Sequence, residues 1–315
     1  MGFRDNLRRY KFIHWIYNLF HYKALLHNRE GYKRYKIDKP LFTSISSRDF
    51  PDKESKAWLD LGSSEQLVSA KESFQRFSPL IKEQLLSWSE NGFMIIPNYF
   101  SETQVDTIND EIDTLIKKRK LRHATENKWM FANRNSSLIQ NTINSKSITD
   151  ILDFILDKKV VPFQTINFLQ GSGQRAHSDS IHMTTYPLGY LIAVWIALED
   201  TTMDNGPLFY YPGSHRLPYL LNSGFNEGES LFRLGKMEYG NYEDVLQESI
   251  LKHGFEKKIF LAKKGDLFIW HANLIHGGLP VNDIHSTRKS MVVHYYAKDV
   301  INYHEITERP SVLNL

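Results

Sequence analysis

Two short stretches of the sequence carry side chains that could bind one metal ion together. His177 and Asp179 are two residues apart, so in an extended segment both side chains leave the same face. His276 follows the apolar stretch Leu267–Trp270, and a strand there would bring it to the ion from the opposite wall of a barrel. Two histidines and one carboxylate on one face of a metal leave open positions, as in non-haem Fe(II) oxygenases.

Each half of this set is common on its own, and the sequence leaves alternatives open. A His-x-Asp triplet also occurs in polar surface loops. His271, five residues before His276, is the other candidate for the third ligand, and the two glycines after His276 favour the latter. His182 could face a substrate, whereas His215, in a Pro-Gly-Ser-His turn, suits a structural hydrogen bond. We expect four further histidines at the surface or in the core: His253, His285, His294 and His304.

The elements that would position these side chains are mostly short strands. Apolar segments separated by Gly- and Pro-bearing turns are typical of a jelly roll. Helical spacing predicts flanking helices over 81–91, 101–120 and 148–156, and 121–144 is predicted to be a loop or edge strand. We therefore predict a mainly β protein with flanking helices and a cupin-like double-stranded β-helix core. The predicted strands are Phe93–Pro97, Val160–Leu169, Ile181–Tyr186, Tyr190–Ala197, Leu208–Tyr211, Lys258–Ala262, Asp266–Trp270 and Ser290–Tyr296.

The chain divides into a basic N-terminal part and a barrel domain. Residues 1–78 are predicted to form an amphipathic helix and a wrapping extension, and residues 79–315 the barrel, with an insertion at 220–257 that could act as a lid. The stretch Phe3–Leu26 mixes apolar and basic residues, and such a helix can lie in an anionic membrane surface. The alternative is that its apolar face docks on the barrel or on a second subunit.

Composition excludes several classes of protein. No cysteine is present, which rules out disulfide scaffolds, cysteine zinc fingers, iron–sulfur clusters and thiol nucleophiles, and a cytoplasmic setting fits best. Residues 1–40 carry ten Lys/Arg against three Asp/Glu, whereas the whole chain has a net charge of only +3. The basicity is therefore local, which argues against a nucleic-acid-binding protein. Peripheral membrane contact through residues 3–26 stays open, and the sequence does not define an oligomeric state.

Four blocks of sequence, spread over roughly residues 80–300, carry a resemblance to a known family. The chain resembles the phytanoyl-CoA dioxygenase family of Fe(II)- and 2-oxoglutarate-dependent oxygenases, with the blocks in the family's order. The blocks are Asn91-Gly92-Phe93; His177-Ser178-Asp179; Trp195 to Asp200 with Asn205 to Leu208 and Pro212 to His215; and Lys264 to Asp266 through His276-Gly277-Gly278 to Arg288-Lys289.

The resemblance assigns roles to individual residues. It implies that His177, Asp179 and His276 bind the iron, and that Arg288, twelve residues after His276, holds the far carboxylate of 2-oxoglutarate. A guanidinium suits that task because it forms paired, charge-assisted bonds to a carboxylate. Trp195 falls where the family has a tryptophan against the cosubstrate, although it also suits an ordinary core. As polar residues inside a predicted strand, Gln164 and Asn167 could also bond the cosubstrate, or be solvated at a sheet edge.

The implied reaction uses O2 and 2-oxoglutarate to hydroxylate an unidentified small-molecule or lipid-linked substrate, with release of succinate and CO2. Gly278 departs from the family, which often has a serine whose hydroxyl assists cosubstrate binding, so one hydrogen bond would be lost. Asp179 is retained, whereas related halogenases replace this carboxylate, which favours hydroxylation. The alternative from another class is a non-catalytic or redox-neutral metal-binding cupin-like protein.

Overall fold

An antiparallel barrel of short strands lies at the centre of the computed structural model, which describes residues 9–52, 56–125, 127–221, 230, 232–234 and 239–313. The strands alternate with turns at which Gly92, Gly206, Gly213 and Gly265 have positive φ angles, as the predicted breaks require. The strands are β1 (Phe93–Ile96), β2 (Arg122–Thr125), β3 (Lys128–Met130), β4 (Val160–Phe168), β5 (Thr184–Tyr186), β6 (Leu191–Ala197), β7 (Leu208–Tyr210), β8 (Lys258–Phe260), β9 (Leu267–His271), β10 (His276–Gly278), β11 (Ser290–Ala297), β12 (Ile301–His304) and β13 (Arg309–Pro310).

Within the described residues these strands form three antiparallel sheets. The large sheet has the order β1-β9-β6-β11-β4-β3-β2, and two smaller sheets have the orders β10-β7-β8 and β13-β12-β5. Every segment predicted as a strand contains one. The prediction of a double-stranded β-helix core with flanking helices is confirmed, although helical residues outnumber strand residues, so "mainly β" holds only for the core.

The helices begin and end at recognisable signals. Ser101 caps its helix and Gln104 bonds back to it, while Gly92 ends another helix in the left-handed conformation. The helices predicted over 81–91, 101–120 and 148–156 are confirmed. In chain order the helices are α1 (Lys11–Phe20), α2 (Arg29–Arg34), α3 (Ser64–Ser69), α4 (Pro79–Leu86), α5 (Trp88–Asn91), α6 (Glu102–Lys117), α7 (Ser137–Ile143), α8 (Lys146–Leu156) and α9 (Tyr239–His253).

The two faces of the large sheet serve different purposes. Its outer face packs against α6 and α8 in the main hydrophobic core, to which strand residues such as Ile269 and Val293 contribute. Its inner face carries a smaller cluster that includes Trp195, Phe268 and Trp270. Since side chains alternate along a strand, every second residue of β4, β6, β9 and β11 faces the barrel interior. Those inward positions form the wall of the site.

Residues 121–144 fold differently from the prediction in part. Strands β2 and β3 form a hairpin that extends the large sheet at its edge, as predicted, but α7 follows, beginning at the Ser136 cap. Strands β10, β12 and β13 were also absent from the prediction, because segments of two to four residues carry little periodicity.

The N-terminal extension packs on the small β13-β12-β5 sheet. Leu25, Ile45 and Phe50 form a separate buried cluster with Tyr186 and Tyr303. Helix α1 covers only the part Lys11–Phe20 of the predicted Phe3–Leu26, and residues 1–8 lie outside the described residues. None of the helices in the described part of the chain is both long and apolar enough to cross a bilayer.

Candidate metal centre

The three predicted metal ligands meet inside the barrel. Donor atoms of His177, Asp179 and His276 all lie within 4.8 Å of one another, and all three side chains are buried. The two histidines are also paired through the backbone, because each peptide N–H donates to the other's carbonyl at 2.9 Å. An antiparallel β-bridge therefore fixes the separation of two ligands that are distant in the sequence.

Hydrogen bonds orient both imidazoles toward the centre. The Nδ1 atom of His177 lies 2.9 Å from the Arg175 carbonyl, and that of His276 lies 2.9 Å from the Leu274 carbonyl. A carbonyl only accepts, so each Nδ1 carries the proton and each Nε2 keeps its lone pair for a metal. Burial lowers the pKa of His177 to about 3, which keeps its ring neutral.

Asp179 is held by one carboxylate oxygen and presents the other. The indole N–H of Trp270 donates to Oδ2 at 2.8 Å, and His294 Nε2 lies 3.3 Å from the same oxygen. Oδ1 lies 3.9 Å from His276 Nε2, a separation that one ion can bridge. Burial alone would raise the pKa of Asp179, but the imidazoles of His294 and His276 outweigh it and hold the pKa far below its usual range. The carboxylate is therefore ionised at neutral pH.

Replacing Trp270 with phenylalanine should weaken Fe(II) binding by about tenfold, since losing an outer partner of a metal ligand costs roughly 10–100-fold. The ring volume is nearly kept, and only the donor to Asp179 Oδ2 is lost. Anaerobic Fe(II) titration measures the effect. Trp58→Phe is the matched control, because its indole N–H bonds the distant Ile155 carbonyl. Equal Fe(II) affinity in both variants would contradict the role assigned to Trp270.

A cavity of about 360 Å³ opens beside the three ligands. Arg288 lies in its wall, 3% exposed, and no carboxylate of the described residues pairs with it. Its Nε is buried without a hydrogen-bond partner, and burial lowers the pKa of the guanidinium to about 10. The aromatic ring of Trp195 lies 5.6 Å from the guanidinium carbon. A buried cation without a counter-ion is costly, so this side chain is suited to receive an anion.

The other predicted cosubstrate residues fall on different faces of their strands. Trp195 and Gln164 both line the cavity, and the Gln164 amide lies 3.1 Å from His294 Nδ1. Asn167 does not line it; its amide donates to the Trp129 carbonyl across the β3–β4 pair. The expectation that Asn167 bonds the cosubstrate disagrees with this position, because residues three apart in a strand point to opposite sides.

Several residues that the sequence did not single out as site residues also line the cavity, among them Lys128, Ser172, His294 and His304. Lys128 reaches in from the β2–β3 hairpin and bonds Gln174 at 3.0 Å, and burial lowers its pKa. His294 and His304, expected at the surface or in the core, enter from β11 and β12. A side chain at Gly278 would collide with the Ser172 hydroxyl, which therefore occupies the space of the serine missing at 278. The alternation of side chains along β11 would have indicated that His294 faces the interior. The positions of Lys128, Ser172 and His304 depend on tertiary contacts.

The competing histidines have structural partners. His271, the rival third ligand, faces the outside of the barrel, where its Nε2 lies 3.1 Å from Asp60 and its Nδ1 accepts from the Asn273 N–H. His215 lies within the turn Ser214–Arg216, where its backbone carbonyl accepts from the Asn273 amide, although its buried Nδ1 has no hydrogen-bond partner. His182 lines the cavity, in agreement with a substrate-facing position. His276 is thus the histidine that joins the His-x-Asp pair.

The predicted insertion at 220–257 is described only in part, since residues 222–229, 231 and 235–238 lie outside the described residues. Its helix α9 is fixed to the metal site. The Tyr242 hydroxyl lies 2.8 Å from the hydroxyl of Ser178, which stands between two ligands, and Arg175 pairs with Glu243 and Asp244. This part of the insertion supports the His-x-Asp turn from behind.

Comparison with known proteins agrees with this geometry. The chain is 23% identical over 255 residues to human peroxisomal phytanoyl-CoA dioxygenase, covering 70% of this chain and 69% of that protein. It is 30% identical over 103 residues to zebrafish phytanoyl-CoA dioxygenase domain-containing protein 1, of which it covers only 31%. The crystal structure of EctD from S. alaskensis with bound Fe has a similar fold, with a TM-score of 0.55, 18% identity, and coverage of 70% of this chain and 77% of that one.

The family model for phytanoyl-CoA dioxygenase (PhyH) matches residues 88–288, more than half of the chain. The match contains His177, Asp179, His276 and Arg288. The chain therefore belongs to the phytanoyl-CoA dioxygenase family.

Proposed function

We propose that this protein is an Fe(II)- and 2-oxoglutarate-dependent dioxygenase that hydroxylates a small molecule. One observation carries the proposal: three buried donor atoms, already oriented for a metal, share a cavity with an unpaired buried arginine. The donor set of two imidazoles and one carboxylate suits Fe(II) and leaves coordination positions open. His177, Asp179 and His276 would hold the iron.

Arg288 would bind the far carboxylate of 2-oxoglutarate. Its burial without an acidic partner supports this role, because the cosubstrate would supply the missing negative charge. Trp195 lies against the guanidinium and limits its movement. Lys128 and Ser172, which also line the cavity, offer further donors to an anion. The Ser172 hydroxyl could replace the serine hydroxyl that is missing at Gly278, because it lies beside the strand that carries His276.

The chemistry of oxidation belongs to the metal and its cosubstrate, which when bound with O2 supply the oxidant and leave succinate and CO2. The chain's own residues fix geometry and exclude water. Asp179 is kept ionised and oriented by Trp270 and His294, and both histidine ligands are locked by backbone carbonyls. The retained carboxylate at 179 supports hydroxylation rather than halogenation.

The substrate would occupy the rest of the cavity. Its wall there combines apolar side chains with imidazoles, including Ile166, Val292, His182 and His304. Such a surface suits an organic molecule with a polar group near the reacting carbon, free or linked to a lipid. The alternative, a non-catalytic metal-binding cupin-like protein, gives no reason for burying Arg288 unpaired in the same cavity.

Aerobic incubation with Fe(II) and 2-oxoglutarate tests the proposal. We expect iron-dependent release of succinate, increased by the substrate, together with a visible charge-transfer band when 2-oxoglutarate is added to the Fe(II) protein without O2. His177→Ala serves as the blank, because it removes one oriented ligand. A protein that binds Fe(II) but shows neither the band nor succinate would instead be a redox-neutral metal-binding protein.

We also propose a cytoplasmic location with peripheral membrane contact through residues 3–26. The support for membrane contact comes from the described part of that stretch, helix α1, whose exposed residues are mostly apolar.

A further inference from the structure

Helix α1 is amphipathic, but its polar side faces the protein. Its two buried residues are Lys11 and Asn18, which are polar. Four of its apolar residues lie on the opposite side and are exposed to solvent, in the fractions Phe12 46%, Ile16 52%, Leu19 51% and Phe20 84%, whereas Ile13 and Trp15 are partly buried. A surface helix normally buries its apolar stripe. This orientation is the reverse of the alternative in which the apolar face docks on the barrel.

Specific contacts hold the helix in this orientation. Lys11 Nζ pairs with Glu308 at 2.7 Å, and both side chains are buried. The Asn18 amide donates to the Phe42 carbonyl at 2.9 Å, and the Trp15 indole N–H donates to the Ser44 hydroxyl at 3.0 Å. Turning the apolar stripe inward would break the buried Lys11–Glu308 pair and leave Glu308 with Arg48 as its cationic partner. These contacts therefore fix the apolar face of helix α1 toward solvent.

Basic residues flank helix α1 along the chain. Residues 9–41 carry eight Lys/Arg against two Asp/Glu. A shallow cavity is lined by Tyr22, two residues after the end of helix α1. The same cavity is lined by Arg29, Lys33, Lys36 and Lys39. Asp38 lines it too, and Lys33 and Lys39 pair with Glu30 and Asp49. After these pairs are counted, the region is still strongly basic.

We propose that helix α1 docks on an anionic membrane surface, with Phe12, Ile16, Leu19 and Phe20 among the acyl chains. Apolar side chains on one face beside basic residues match a bilayer that carries negative headgroups. A second copy of the chain fits less well, because a symmetric contact through this face would bring two basic segments together. The inference does not depend on the iron or on the proposed reaction.

The docked helix would lie close to the cavity. Glu308, the partner of Lys11, sits in the turn between β12 and β13, and β12 carries His304 into the cavity wall. Three residues of this hairpin, 305–307, thus separate Glu308, the partner of the membrane-docked helix, from His304 in the cavity wall. An enzyme held in this way would meet molecules dissolved in the membrane.

Co-sedimentation of the iron-free protein with vesicles tests the inference. The full chain should bind vesicles of phosphatidylcholine and phosphatidylserine, and bind pure phosphatidylcholine vesicles less. Ile16→Gln with Phe20→Gln should lower binding at least about tenfold, since two apolar side chains are then no longer inserted. Leu251→Gln with Ile284→Gln, equally exposed apolar positions elsewhere, should bind like the full chain. Arg29→Gln with Lys36→Gln should lose roughly fivefold per side chain on anionic vesicles only.

Other results would overturn the inference. One is an unchanged chain that does not sediment with anionic vesicles, and another is an Ile16→Gln/Phe20→Gln variant that binds as well as its control. A dimer in light scattering that this variant converts to monomer, with no vesicle binding by the unchanged chain, would assign the face to a second copy. Circular dichroism checks that each variant is folded. Turnover of 2-oxoglutarate in the helix variant should equal that of the unchanged chain, so the two proposals can fail separately.

Discussion

Replacing Asp179 with alanine should lower Fe(II) affinity more than about a hundredfold and abolish succinate release. The estimate is a minimum, because loss of an outer partner of a ligand already costs about 10–100-fold and Asp179 would touch the metal itself. The variant also leaves two neutral imidazoles, which do not balance the charge of the ion, and it frees the Trp270 and His294 donors inside the barrel. Anaerobic equilibrium dialysis with Fe(II) and mass spectrometry of succinate measure both effects.

Asp110→Ala is the matched control for this experiment. Asp110 is an exposed carboxylate on α6, far from the barrel interior, so its loss should change neither quantity. If Asp179→Ala bound Fe(II) as tightly as this control, the metal would be held by other residues, and the site described at His177 and His276 would not be the iron centre.

Replacing Arg288 with alanine should raise the KM for 2-oxoglutarate at least about hundredfold, because two charge-assisted hydrogen bonds contribute about 1.5–3 kcal/mol each. The effect on kcat at saturating cosubstrate should be much smaller, since Arg288 is expected to touch the end of 2-oxoglutarate that does not react. Arg288→Lys should recover only part of the loss, because an ammonium cannot form the paired contact.

A second measurement separates cosubstrate binding from a structural role. A ligand that binds only the folded state raises Tm with its concentration. With Ni(II) in place of Fe(II), 2-oxoglutarate should raise the Tm of the unchanged chain and of the surface control Arg119→Ala, but not that of Arg288→Ala. If all three proteins showed the same shift, the cosubstrate would not be bound by Arg288.

The metal ligands could be predicted from sequence because their signals are local. A two-residue spacing fixes the shared direction of His177 and Asp179, and the blocks around His276 and Arg288 carry the family's spacing. For Gln164 and Asn167, the prediction did not consider which face of the strand each side chain occupies. They are three residues apart on β4, so they could not both face the cavity, and the structure turns Gln164 inward.

Other parts of the site depend on contacts that no local pattern encodes. Lys128 reaches the cavity because β3 pairs with β4 in a register that sets it opposite Phe168. Ser172 fills the space above Gly278 because the loop after β4 meets the end of β10 there. Helix α1 is a similar case, since its sequence predicts an apolar face but does not tell which side docks. The side that docks is set in part by Glu308, almost three hundred residues away in sequence, which pairs with Lys11.

Because a β-bridge joins His177 and His276, a metal bound there would also stabilise the fold. An ion held by both imidazoles joins two points about a hundred residues apart, and closing so long a loop removes much freedom from the unfolded chain. In a chain without a single cysteine, the ion would thus take the place of a disulfide. Loss of the iron would then remove a cross-link as well as a reaction centre.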